Sequence, residues 1–170
     1  MKVAFFTEMG FTGKVPRTHT NMRTEFAWMV AMDAVHYNMQ TIPEEEYDLG
    51  IVINSKNHPE WVNVEALKQK CKKVGVMQEG PFWYFQDYPL TNQVHYFNNL
   101  MLADIIFAHN EVDAKYFRGL TGHPDVRVLR SLMIEDPIEV VTHPEQRSGV
   151  MIGGNFAFRG HPLLTQHTFL

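Results

Sequence analysis

The chain has 170 residues, 45% of them hydrophobic and 20% charged, with a net charge of −4. Those values suit one globular domain, or one domain plus the start of another, and exclude a disordered chain. An isoelectric point near 6.1 gives no reason to expect nonspecific nucleic-acid binding. The single cysteine, Cys71, cannot close an intrachain disulfide, so a reducing, cytoplasmic setting is expected. No segment approaches the roughly 20 apolar residues that span a bilayer. Met1 to Thr7 is too short for a secretory signal and reads instead as a buried first strand.

Val3–Thr7 is continuously apolar, as in a strand covered on both faces. A loop with Gly10, Gly13 and Pro16 comes next. Thr20 or Asn21 can cap the following helix, whose Phe26, Met29, Val30 and Ala34 are spaced to pack one face on a sheet. A weak strand is predicted over Met39–Ile42, closed by Pro43 and the solvated acidic run 44–46. Leu49–Ile53 is a strong strand, then a helix over Pro59–Cys71 with Pro59 in its first turn. Cys71, at that helix end, reads as a small buried thiol.

Val74–Met77 is the third strong strand, and an aromatic loop, Phe82 to Tyr88, leads to a helix over Thr91–Leu102. Asp104–Ala108 is a strand, Asn110 caps a helix over Glu111–Leu120, and Val126–Leu129 is the last strand. The predicted order is β-α-β-α-β-α-β-α-β-α-β, which implies a Rossmann-like α/β fold with an open, mostly parallel sheet and helices on both faces. Leu132–Ser148, rich in Pro, Glu and Asp, reads as a linker. Residues 149–155 then resemble a fresh strand entering a Gly-containing turn. The expected division is a domain over 1–131, a linker over 132–148, and over 149–170 the start of a second α/β domain that stops early.

Open α/β sheets bind ligands outside the carboxyl ends of their strands, here residues 10–17, 54–58, 78–82 and 109–113. These place Gly10, Gly13, Lys14, Arg17, Asn54, Gln78, Gly80 and His109 as candidate substrate-binding residues. Gly10 to Val15 lacks the P-loop spacing and G-x-G-x-x-G, leaving a Gly-containing loop before a helix, suited to an anion or to a plain crossover. Glu79 directly succeeds an apolar strand, beside Gly80 and aromatic neighbours that would desolvate it. It is either a general base or a loop-stabilising carboxylate. Nine histidines include no H-E-x-x-H and no Cys–His cluster, so no metal is expected. Ser55 and Ser131 lack G-x-S-x-G. Phe82–Phe85 and Tyr88 form either a platform for stacking a sugar or base, or core packing or a docking surface for a partner domain.

The stretches Lys2–Gly13, Asp48–Ser55, Val74–Gly80 and Ala103–Asn110 resemble, in order and spacing, the amino-terminal half of a GT-B-type glycosyltransferase. Ser148–Asn155 resembles entry into the second half. The resemblance implies an acceptor-side domain whose base, Glu79 by strand-end position, activates an acceptor hydroxyl against a nucleotide sugar, with Gly10, Gly13 and Lys14 near the cleft and no cofactor. It implies no transfer by this chain alone, because the donor-binding half is missing. The alternative is a noncatalytic α/β ligand-binding or interaction module. A face left uncovered by the missing half would favour a homo-oligomer.

Overall fold

The computed structural model describes residues 1–17, 24–55, 57–78 and 88–134. They form β1 (Val3–Thr7), α1 (Glu25–Ala31), β2 (Val35–Asn38), β3 (Tyr47–Asn54), a 3₁₀ turn (Pro59–Trp61), α2 (Val64–Leu67), β4 (Cys71–Gln78), α3 (Leu90–Leu102), β5 (Ile105–Ala108), α4 (Glu111–Thr121) and β6 (Val126–Val128). The six strands make one sheet in the order β2-β1-β3-β4-β5-β6, and every pairing is parallel. This is an open, doubly wound α/β sheet.

Right-handed crossovers explain how the helices divide. The chain steps one way from β1 to β2, then the other way from β3 to β6, so α1 lies on the face opposite α2, α3 and α4. Two cores record this. Phe6, Val52, Val74, Val76 and Ile106 pack with Leu67, Leu100 and Phe117 from α2, α3 and α4. Phe5, Ile51, Met77 and Phe107 pack with Phe26, Trp28 and Met29 from α1. β1 supplies alternate residues to both cores, which is why all five of its residues are buried.

The edges are closed locally. Gly13, at φ +127°, pairs antiparallel with His36 of the edge strand β2, covering backbone groups that would otherwise invite another strand. Beyond β6 the chain turns back across the α1 face. Leu129 N–H donates to Ala108 O (2.8 Å), Trp28 Nε1 to Arg130 O (3.0 Å) and Thr24 N–H to Leu132 O (2.7 Å). One compact unit spans Met1–Asp136. The expected start of a second domain at 149–170 lies outside the described residues, as does all of the expected linker beyond Ile134.

Three elements differ from the sequence expectation. The weak strand lies at Val35–Asn38 rather than Met39–Ile42, because α1 ends at Ala31 and Asp33 takes a positive φ of 50°. That turn releases Val35, whose branched side chain suits a strand. Between β2 and β3 there is no helix; residues 39–46 cross beneath β1 as a loop. The helix expected over Pro59–Cys71 is split into the 3₁₀ turn and a four-residue α2, capped by Asn63 accepting from Ala66 N–H at 3.0 Å. Cys71 therefore opens β4 instead of ending a helix. Tyr47↔Cys71 pairing and the Lys72–Asp48 ion pair (2.6 Å) extend the β3–β4 ladder backwards. Cys71 is buried, and desolvation pushes its thiol up to about 11. It is packing material rather than a nucleophile.

Close contact between β4 and β5 depends on Gly75. A Cβ there would meet the Phe107 ring at 2.3 Å. Gly75→Ala is expected to destabilise the domain by about 1–3 kcal/mol through overpacking. Pairing it with Phe107→Leu should give a loss smaller than the sum of the single changes, because the two sites share one space. Urea unfolding of the four proteins measures this; strictly additive losses would refute the contact.

Candidate cleft at the strand-order reversal

The site is built outward from the carboxyl end of β1. Thr7 Oγ1 accepts Met9 N–H (3.1 Å) and meets His36 Nε2 at 2.9 Å. His36 Nδ1 lies 2.8 Å from Phe11 O. A carbonyl can only accept, so Nδ1 carries the proton and Nε2 accepts from Thr7 Oγ1–H. The Phe11 ring stacks on the imidazole with centroids 4.0 Å apart. From β2, Asn38 Nδ2 donates to Met9 O at 3.1 Å and Glu8 O at 3.3 Å. Residues 8–13 are thus tied to the edge strand by side chains and backbone together.

This fixes where the Glu8 side chain can reach. Ser55 Oγ donates to Glu8 Oε2 at 2.7 Å and accepts Asn57 and His58 N–H, both at 3.2 Å. Across the end of β1 and β3 lies a cleft of about 160 Å³ lined by Thr7, Glu8, Met9, Glu25, Ile53 and Ser55. β1 and β3 are the neighbours at which the strand order reverses, the place where doubly wound sheets leave a crevice. Met9 and Ile53 give it an apolar wall, while Glu8, Glu25, Thr7 and Ser55 line the same space. None of its described lining residues is basic.

Comparison with known protein families, curated proteins and solved structures finds no match. The chemistry of the cleft therefore rests on its own side chains.

The residues singled out in the sequence fall into several groups. Gly10 is exposed, and a Cβ there would meet nothing within 4 Å. Gly13 serves the β2 edge, and Lys14 Nζ pairs with Asp33 Oδ1 at 2.5 Å. Arg17 is exposed. None of these four is among the described lining residues. Asn54 is fully buried on the α3 side, donating to Tyr96 O (3.2 Å) and accepting from Asn99 Nδ2 (3.0 Å). It anchors β3 to α3. Gln78 is buried at the end of β4, and its backbone carbonyl accepts from His109 Nε2 at 3.0 Å. The His109 ring in turn lies parallel to Trp28, centroids 6.1 Å apart. Glu79 and Gly80 lie outside the described residues, as do Phe82–Phe85.

Behind His109, Asn110 caps α4 by accepting Asp113 N–H at 2.9 Å. Asp113 is buried, and desolvation raises its carboxyl above the ordinary range against the opposing pull of His109 and the Asn110 hydrogen bond. Among the described residues, no group of three His, Cys, Asp or Glu is placed to hold a metal ion. Nor is any helix among them long and apolar enough to cross a membrane.

Glu8, Glu25 and Ser55 were not singled out as site residues in the sequence. Strand alternation held the signal for Ser55: Ile51 and Ile53 belong to the α1 face, so Ser55 does too, whereas Asn54 must point to the other side.

Burial lowers the pKa of His36 below its ordinary 6.5, its bond to Phe11 O partly opposing. The folded state therefore binds this proton less readily than the unfolded chain. The neutral ring's contribution is complete above about pH 6.5 and is lost as the pH falls from there toward the depressed folded value. We expect unfolding free energy to drop on the acid side by up to about 1.4 kcal/mol per pH unit for this one proton. His36→Asn, which keeps a donor for Phe11 O but cannot titrate, should flatten that limb. A variant whose acid limb matches the wild type would remove His36 as its source.

Proposed function

We propose that this chain is the acceptor-side domain of a GT-B-type glycosyltransferase-like protein, with the acceptor's hydroxyl-bearing end in the cleft between β1 and β3. The observation that carries the reading is the composition of that cleft. Glu8, Glu25, Thr7 and Ser55 line it without a basic residue among the described lining. Such a wall repels phosphate and favours neutral groups that donate hydrogen bonds, as sugar and other polyol hydroxyls do. Glu8 already accepts a hydrogen bond from the Ser55 hydroxyl at 2.7 Å, the contact an acceptor hydroxyl would make. The anion reading of the Gly10–Arg17 loop draws less support, since Lys14 is engaged by Asp33 on the β2 side.

In the transfer step the acceptor oxygen forms a bond to the anomeric carbon of a nucleotide sugar. The bond from that carbon to the nucleotide's phosphate oxygen breaks, and its electron pair leaves with the nucleotide. A carboxylate takes the hydroxyl proton. Glu79 is a candidate for that base by its position directly after β4, and Glu8 by its place in the cleft. The second reading, a noncatalytic ligand-binding module, draws on the same Ser55–Glu8 bond, because a carboxylate fixed by a hydroxyl serves as well to orient a ligand as to deprotonate one.

Isothermal titration with neutral mono- and oligosaccharides, and with nucleoside diphosphate and inorganic phosphate, separates these chemistries. We expect saccharide binding near 1 mM, about −4 kcal/mol, weakened tenfold or more by Glu8→Ala. Phosphate or nucleotide binding tighter than any saccharide and indifferent to Glu8→Ala would overturn the proposal. Saccharide binding combined with full glycosyl transfer in a Glu8→Gln, Glu79→Gln protein that carries a donor domain would leave the noncatalytic role for both carboxylates.

A further inference from the structure

We propose that Thr24 is a positioning residue for the cleft: residues 129–132 strap it into a strained conformation, and this contact sets where Glu25 stands in the cleft wall. The inference rests on the cleft as the binding site and holds whatever ligand occupies it. Thr24 is the residue before α1, with φ 53° and ψ −119°. Among the described residues, only Thr24 and Asp33 carry a side chain at positive φ. An Asp tolerates that region, whereas a β-branched residue there is strained. Thr24 also forgoes the usual benefit of its position. A threonine before a helix ordinarily has extended backbone and accepts a first-turn N–H on its hydroxyl, yet here no capping bond forms. Strain of this kind persists only where the surrounding contacts over-determine it.

Those contacts come from the chain beyond β6. Leu129 N–H donates to Ala108 O (2.8 Å), Arg130 O accepts Trp28 Nε1–H (3.0 Å) and Leu132 O accepts Thr24 N–H (2.7 Å). The segment thus runs from the carboxyl end of β5 to the start of α1. Thr24 O accepts Trp28 N–H at 3.0 Å. Two residues one helical turn apart are therefore bonded to each other and each to the strap. Trp28 is buried and stacks on His109, which is itself fixed by the Gln78 backbone carbonyl.

Glu25 directly follows Thr24 and lines the cleft. The rest of the lining, Thr7, Glu8, Met9, Ile53 and Ser55, comes from β1, β3 and the residues just past them. One side of the cleft is therefore set by the sheet, and the other by the first turn of α1 and the strap that holds it. Arg130, Ser131 and Leu132 are exposed, so hydrogen bonds rather than burial keep the strap down. It can lift while the two cores stay folded. A pull on the chain past Leu132 then reaches the cleft through Thr24.

Thiol reactivity of the full chain tests this without a ligand, so failure of the saccharide reading leaves the test standing. The thiol introduced by Glu25→Cys reports the cleft wall, while the native Cys71, buried in the core, reports global opening. Iodoacetamide is the probe. Adding Trp28→Phe, which removes the donor to Arg130 O, should speed labelling at position 25 by about fivefold or more while Cys71 stays unlabelled. Thr24→Gly is a second arm that opens no cavity. It should raise the urea midpoint by about 0.5 M through relief of strain. It should still speed labelling at position 25 by about threefold, because a glycine no longer holds one backbone conformation. A merely structural contact would give the opposite pairing, a more stable protein with a less reactive thiol. Thr24→Ala, which keeps the strain and loses only a hydroxyl that caps nothing, should leave both readouts near wild type. Labelling at position 25 that ignores Trp28→Phe or rises in step with Cys71, or a urea midpoint lowered by Thr24→Gly, would each overturn the proposal.

Discussion

The pairing of β1 with β3 is the constraint on which the rest of this structure depends. Val3 to Phe6 lie in register with Leu49 to Val52, and all eight residues are apolar or glycine. Because β2 occupies the other side of β1, the connections leave this pair in opposite directions and on opposite faces. Their loops part above it, and the gap is the cleft. Gly50 shows how closely this centre is packed: a Cβ there would come within 2.8 Å of Cys71 Sγ and 3.2 Å of the Phe6 ring. The crevice is thus a consequence of connectivity, and its chemistry is whatever side chains the sequence places on the first residues past the two strands.

Those side chains are held by a polar lattice reaching from the edge of the sheet inward. His36 ties Thr7 to the Phe11 carbonyl, Asn38 holds the Glu8 and Met9 carbonyls, and Ser55 receives the turn after β3 while donating to Glu8. Each partner is satisfied locally, which lets polar groups stay ordered where an unpaired one would be costly. The neutral His36 in this lattice links the stability of the cleft wall to pH. On the other side of β3, Asn54 and Asn99 perform a comparable service between β3 and α3, with Asn99 also donating to Pro59 O at 2.8 Å.

Much of the fold was legible in the sequence because buried parallel strands declare themselves as apolar runs. Val3–Thr7, Leu49–Ile53 and Val74–Met77 all lie within observed strands. The Asn110 cap was readable because a side-chain oxygen at that position has one obvious donor, Asp113 N–H. β2 was misplaced because Met39 is buried without being in a strand, so apolarity pointed four residues too far. The ends of β3 and β4 were missed because Tyr47, Asp48, Lys72 and Lys73 gain their strand conformation from tertiary pairing and an ion pair that no local pattern displays. The cleft was half legible. Its location could be placed from strand ends, but its residues could not, since Glu8, Glu25 and Ser55 come from three separate segments and meet only when β1 and β3 are adjacent.

Amide chemical-shift mapping with a neutral saccharide tests the central claim most directly, because it reports where on the sheet a hydroxyl-bearing ligand sits. The account predicts perturbations concentrated on Thr7, Glu8, Met9, Glu25, Ile53 and Ser55, with little change at Lys2, Tyr47 or Cys71 at the opposite, amino-end edge of the sheet. Perturbations at those opposite ends, or a silent cleft while phosphate shifts Gly10 to Arg17, would contradict it.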